Sequence, residues 1–172
     1  NYDLNYYAVK LTSFTGTLSL YADNTLTGGT SGLVADVIAV VATDGTDPDT
    51  LFVKYRNSGT DNVTIKFTDG ETVTSGQTAA STAVVSTCAT GSRATIDAGT
   101  YYINGFFVNV DAQTITLDKY TNTPSYRIGL TIVENFITST DDSTILDNAS
   151  GSSNANATGA HRFKIDLTLT KL

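Results

Sequence analysis

A single histidine, His161, and a single cysteine, Cys88, are the residues of this chain best suited to acid–base or nucleophilic work. Triad or dyad catalysis needs a nucleophile, a base and an orienting group that converge. No Gly-x-Ser-x-Gly elbow occurs, and no local motif marks Cys88 as a nucleophile. Cys88 closes the apolar run Ala83-Val84-Val85-Ser86-Thr87-Cys88, where it reads as a small buried hydrophobe. His161, beside Arg162 at a strand entry, reads as a structural residue. One histidine and one cysteine are too few for a zinc site, and a lone cysteine excludes an internal disulfide.

The acidic loops are the next candidates. Asp44, Asp47 and Asp49 cluster in one, and Asp141, Asp142 and Asp147 in another. Calcium takes six to eight oxygens from loops of this kind, but neither spacing matches an EF-hand, and aspartate is common in turns for backbone reasons alone. Glycoside hydrolysis would need two carboxylates across an aromatic-lined cleft, which spacing does not supply. Gly28-Gly29-Thr30-Ser31-Gly32 precedes a strand-like run where a phosphate cradle requires a helix N-terminus, so it reads as a turn. The Asn-x-Ser/Thr sequons at Asn62, Asn148 and Asn156 matter only in a secreted glycoprotein. We therefore assign no catalytic, cofactor-binding or metal-ligating residue and expect no enzyme and no cofactor.

The elements that would hold any such site are strands. Apolar residues make up 40% of the 172 positions, Met and Trp are absent, and Thr is frequent. Thr, Val, Ile and aromatics suit a pleated, half-buried surface. The nearly continuous apolar run 33–42 is too β-branched for a helix. Strand patterns follow at Leu51–Arg56, Val63–Phe67, Thr114–Leu117 and Arg127–Val133, separated by turns such as Asn57-Ser58-Gly59 and Asp69-Gly70. Asn104-Gly105 between Thr100–Ile103 and Phe106–Val108 is a hairpin signal, since a type I′ turn needs two left-handed residues, with a glycine bulge within one strand as the alternative. In 163–170, Phe163, Ile165, Leu167 and Leu169 alternate with polar residues, which predicts one buried and one wet face. The longest polar stretch is 141–158, with Ile145 and Leu146 its large apolar anchors.

These patterns predict an all-β chain of two small antiparallel barrel or sandwich domains with short turns and negligible helix. The Thr-, Ser- and Gly-rich stretch 72–82 places the boundary, giving domains 1–80 and 81–172. The first residue is Asn and the last strand pattern runs to Leu172, so the chain is expected to be part of a longer polypeptide. A net charge of −7, with 10 basic residues scattered among 17 acidic ones, argues against nucleic acid and against an anionic membrane surface. No apolar run is long enough to cross a bilayer as a helix.

Several runs carry a resemblance. The segments 27–32, 47–55, 57–61 and 67–72 are together similar to a small β-barrel module of phage tail and baseplate-associated proteins. The runs 99–108, Asn122-Thr123-Pro124-Ser125-Tyr126-Arg127 within 117–130, 141–151, and Gly159-Ala160-His161-Arg162 within 159–165 follow. They closely resemble a domain of unknown function found in large virion structural proteins of tailed phages, notably contractile-tailed phages of cyanobacteria. The stretch 152–158 departs from that pattern in having few aromatic or proline residues. The resemblance implies a non-catalytic virion subunit of a tail, baseplate or fibre, located in the phage particle. Its expected partners are copies of itself, in trimeric or sixfold arrangement, and other virion proteins. The strand 162–172 and the loop 141–158 are the expected neighbour contacts. The alternative is a module that binds host cell-surface glycan, with Tyr101, Tyr102, Tyr120 and Tyr126 as a stacking platform.

Overall fold

The computed structural model describes residues 1–76 and 81–172. The protein is all-β; its helical content among these residues is two 3-10 turns, Leu18–Tyr21 and Ser143–Ile145. The strands are β1 (Tyr2–Phe14), β2 (Thr25–Gly28), β3 (Val34–Val41), β4 (Thr50–Tyr55), β5 (Thr72–Ser75) and β6 (Thr82–Ile96). They continue with β7 (Gly99–Ile103), β8 (Phe106–Val110), β9 (Gln113–Asp118), β10 (Ile128–Ile137) and β11 (Arg162–Lys171).

The chain divides into two compact units, Asn1–Thr95 with Ile115–Tyr126, and Ile96–Thr114 with Arg127–Leu172. This differs from a division at residue 80. The expected linker overlaps residues 77–80, which lie outside the described residues. The strands on either side of it are ladder partners, with Thr72 opposite Val84 and Thr74 opposite Thr82. β6 is thereby tied to the first unit, and its pairing with β1 extends that tie to Ala94.

The first unit is a closed antiparallel barrel in the order β1-β4-β3-β2-β5-β6, closed by pairing of β1 with β6, and β9 adds to β6 outside the ring. β2, β3 and β4 form a meander and β1 returns beside β4, a Greek-key arrangement. Alternation sends Val9 and Leu11 of β1, Ala35 and Val37 of β3, Leu51 and Val53 of β4, and Val73 of β5 into the interior with Leu26, Leu33, Phe67 and Val85. The other face of the same strands is apolar too. Tyr6, Ala8 and Phe52 are buried there with Ile38, Val41 and Tyr120 against them. A one-residue register shift between Val37 and Ala39 serves both faces, because the bulge lets β3 present Val37 and Val40 inward but Ile38, Ala39 and Val41 outward. That shift is why run 33–42 is apolar almost throughout.

On the outer face Tyr6 and Phe52 stack with ring centroids 4.9 Å apart and planes within 3°. Gly91 makes room for them. A Cβ there would lie 2.9 Å from Tyr6 Cδ1 and 3.2 Å from the Lys119 carbonyl oxygen.

One expected strand is absent from the sheets. Val63–Phe67 pairs with no strand among the described residues, because its donors are taken locally. The Asp61 carboxylate accepts from the amides of Val63 (2.9 Å) and Thr64 (2.8 Å), and the Tyr55 hydroxyl accepts from that of Phe67 (2.9 Å). Val63 and Ile65 are left exposed while Phe67 anchors the segment in the core.

The second unit is built of two antiparallel hairpins, β7–β8 and β10–β11. The first has the expected two-residue turn: Ile103 opposes Phe106, and Asn104 and Gly105 have φ of 48° and 93°. In the second, ten consecutive pairs run from Ile128–Lys171 to Ile137–Arg162 without a bulge.

Substituting Gly91 by Ala is expected to separate the Tyr6–Phe52 stack and lower the denaturant midpoint. Phe52→Ala is expected to cost about 3–5 kcal/mol, the usual range for emptying a large aromatic site. Urea unfolding followed by tyrosine fluorescence checks both.

Candidate functional site

The structure sets the two candidate residues in different surroundings. Cys88 is 7% exposed on the barrel strand β6, with the Tyr55 hydroxyl 3.8 Å from its sulfur. Burial pushes its thiol up to about 11, so it is a protonated core residue at neutral pH. Burial likewise raises the Tyr55 phenol. His161 is exposed just before β11. The Asp141 carboxyl is held low by hydrogen bonds from the Thr138 backbone and hydroxyl, with His161 adding a lesser electrostatic pull.

The first acidic loop carries its own cation. Lys119 Nζ lies 2.9 Å from Asp44 Oδ2 and 2.7 Å from Asp47 Oδ2, between the two carboxylates. Asp44 also accepts from the amides of Asp47 and Thr46; these backbone bonds and Lys119 hold its carboxyl well below the usual carboxylate range. Asp49 caps the Thr43 amide. In the second loop the aspartates serve separate turns. Asp142 accepts from the Thr144 amide and hydroxyl, and Asp147 from the Ala149 amide.

The glycine-rich segment 28–32 is a turn, and it does cradle an anion: the chain's own Glu71. That buried carboxylate accepts from the amides of Thr30 (3.1 Å), Ser31 (2.8 Å) and Thr68 (3.0 Å) and from the Ser31 hydroxyl (2.9 Å). The charge is buried because four donors surround it. The sequons occupy exposed loop positions, with Asn62 and Asn156 in left-handed conformations (φ 57° and 61°).

The four tyrosines do not share one unit. Tyr120 belongs to the barrel unit, where its hydroxyl lies 3.0 Å from that of Thr50 and the Lys10 ammonium sits 3.8 Å over its ring. Tyr126, in the same unit, donates to Asp118 (2.9 Å). Tyr101 and Tyr102 lie on β7 of the second unit. The barrel unit also carries a shallow groove lined by Tyr7, Lys54, Tyr55, Asn57, Ser58 and Ile65.

The feature with functional weight is one the sequence pattern pointed at but misjudged. The alternating face of β11 was expected to be buried, yet only Leu167 is, and Phe163 is 42% exposed. On the paired strand Ile132 and Phe136 are exposed on the same face. Phe163 contacts Phe136 at 5.5 Å and Phe106 at 5.4 Å, and Tyr102 and Phe107 pair at 5.3 Å. Phe107, Val108, Phe163 and Ile165 line one groove. The second unit thus carries one aromatic cluster of Phe106, Phe136 and Phe163 and a separate Tyr102–Phe107 pair on the other face of the β7–β8 hairpin. Phe136 follows Glu134-Asn135 and gave no alternation signal of its own; the register with Phe163 identifies it.

A family model for a domain of unknown function, DUF4815, matches residues 50–172. The chain belongs to that family. The DUF4815 match begins at the first residue of β4, so it takes in three barrel strands and the whole second unit. No curated protein and no solved structure is significantly similar to the chain.

Cys88 is expected to resist alkylation by iodoacetamide in the folded protein at pH 8 and to react on unfolding; mass spectrometry reads the adduct. Asp61, whose hydrogen bonds from Thr64 and Val63 lower its carboxyl from 3.8 to about 2, gives a pH test. A depressed folded-state value means its stabilisation is full above about pH 4 and is lost as pH falls towards 2. Asp61→Asn should therefore flatten the fall in melting temperature across that window.

Proposed function

We propose that this chain is a non-catalytic structural subunit of a tailed-bacteriophage particle, acting through protein–protein assembly. The observation that carries this reading is the exposed aromatic content of the second unit, where the Phe106–Phe163–Phe136 cluster and the separate Tyr102–Phe107 pair are 42–79% exposed. Monomers rarely leave contiguous apolar patches beyond a few hundred Å² open to water, and larger ones mark interaction sites. The sequence resemblance to virion proteins supplies the setting, a tail, baseplate or fibre, with copies of the chain and other virion proteins as partners. A closed barrel suits a particle that must persist without turnover.

Binding of host cell-surface glycan is the second reading. It draws on the exposed Tyr102–Phe107 pair and on the barrel groove that sets Tyr7 and Tyr55 beside Lys54 and Asn57. Stacking on an aromatic face flanked by hydrogen-bonding groups is a common way to hold a sugar ring.

Antibodies raised against the chain should decorate purified particles at a fixed location in electron micrographs. Unlabelled particles, or a chain missing from their mass spectra, would refute the virion reading. Retention on a host-glycan array that is lost in Tyr102→Ala would favour the second.

A further inference from the structure

We propose that Asn104 is a self-modification site: its side chain closes onto the Gly105 amide to give aspartate and isoaspartate, and Glu134 governs both the rate and the consequence. The site goes beyond the assembly reading above and does not rest on it.

The chemistry is that of an asparagine followed by glycine, a pair that occurs in this chain at Asn104-Gly105 alone. The Gly105 backbone nitrogen gives up its proton and attacks the Asn104 side-chain carbonyl carbon. A cyclic imide forms as the bond to the side-chain nitrogen breaks and ammonia leaves. Water then opens the ring at either carbonyl. One opening yields aspartate; the other yields isoaspartate, whose main chain runs through the former side-chain carbon. One water is consumed for each ammonia released, and no oxidant or cofactor enters.

The turn presents this pair openly. Both residues are exposed at the tip of the β7–β8 hairpin. Nothing lies within 4 Å of the point where a Gly105 side chain would start, so the attacking nitrogen and water are unobstructed. Among the described residues the Gly105 amide donates no hydrogen bond that would first have to break. Every other asparagine precedes a residue whose β-carbon crowds the same attack.

Glu134 restrains the reaction. Asn104 Nδ2 donates to Glu134 Oε1 at 2.6 Å, a charge-assisted bond between the turn and β10. The pairing of Ile103 with Phe106 holds both turn residues left-handed, at φ of 48° and 93°. The side chain must leave Glu134, and the turn must flex, before carbon reaches nitrogen. The folded hairpin therefore ages more slowly than the same residues unfolded.

The same residue sets the consequence. Conversion replaces the donating amide by a carboxylate, so an attraction becomes two carboxylates at hydrogen-bond distance. Isoaspartate also adds a main-chain atom to a two-residue turn that has no slack. Either product removes a tie between the two hairpins, which Phe106 and Phe163 otherwise join at 5.4 Å. Asn104 is thus a slow timer on the second unit.

Ageing the full chain in mildly alkaline buffer tests this, with peptide mapping by mass spectrometry and enzymatic detection of isoaspartate. Asn104 is expected to convert ahead of every other asparagine. Its conversion should be faster in the urea-unfolded chain, and faster in folded Glu134→Ala than in the wild type. Asn104→Asp should lower the thermal unfolding midpoint, and the loss should shrink in a Glu134→Gln background, where the opposing charge is gone. A merely structural asparagine would give no such recovery. Conversion led by another asparagine, a rate indifferent to unfolding or to Glu134→Ala, or an equal loss in both backgrounds would overturn the assignment.

Discussion

The fold depends on β1 having ladder partners on both edges. Its thirteen residues pair with β4 through Tyr7–Lys10 and with β6 from Tyr2 to Phe14. Without it the strand order β4-β3-β2-β5-β6 is an open sheet with two long edges. With it the ring has none, which is how a small barrel avoids edge-to-edge association. Closure also brings Tyr6 onto Phe52 outside and Val9 and Leu11 into the interior, so one strand organises both apolar clusters. The register shifts in the β1–β6 ladder, at Asp3/Tyr6 and on either side of Leu11, bend and twist the strands as a narrow barrel requires.

The second unit solves the same problem differently. A two-stranded hairpin is marginal in water, and stability needs a third strand or another apolar face. Its two hairpins meet through Phe106 and Phe163, and Asn104 at the β7–β8 turn donates to Glu134 of β10 at 2.6 Å. What remains is an apolar face with one strand edge capped and the other open. The capping is selective, since Gln113 supplies the donor and acceptor that a neighbouring strand would offer to β11.

Strand content was legible because Thr, Val, Ile and Tyr alternate over short windows, and the I′ turn because Asn-Gly has few other uses there. The partners of the strands were not, since pairing is non-local. β1 was missed although Tyr7, Val9 and Leu11 alternate with Tyr6 and Ala8, because both faces are apolar and the period is blurred. β5, Thr-Val-Thr-Ser, was taken into a linker because a single buried Val73 is a weak signal. Val63–Phe67 failed in the opposite sense: its alternation is real, but Asp61 and Tyr55 take the backbone donors a ladder would use. The aromatic surface was visible as residues, while its exposure was not. Exposure follows from how few strands the unit has to cover them.

Ionisable groups point the same way as the strands. Asp44 and Asp47 share Lys119, Asp36 pairs with Arg56, and Asp3 lies between Lys54 and Arg93. Glu71 is enclosed by amides, and the aspartates of the 141–158 loop each hold a turn. The rings least committed to the fold are those of the second unit, the Phe106–Phe163–Phe136 cluster and the Tyr102–Phe107 pair, which two short hairpins leave largely open to solvent.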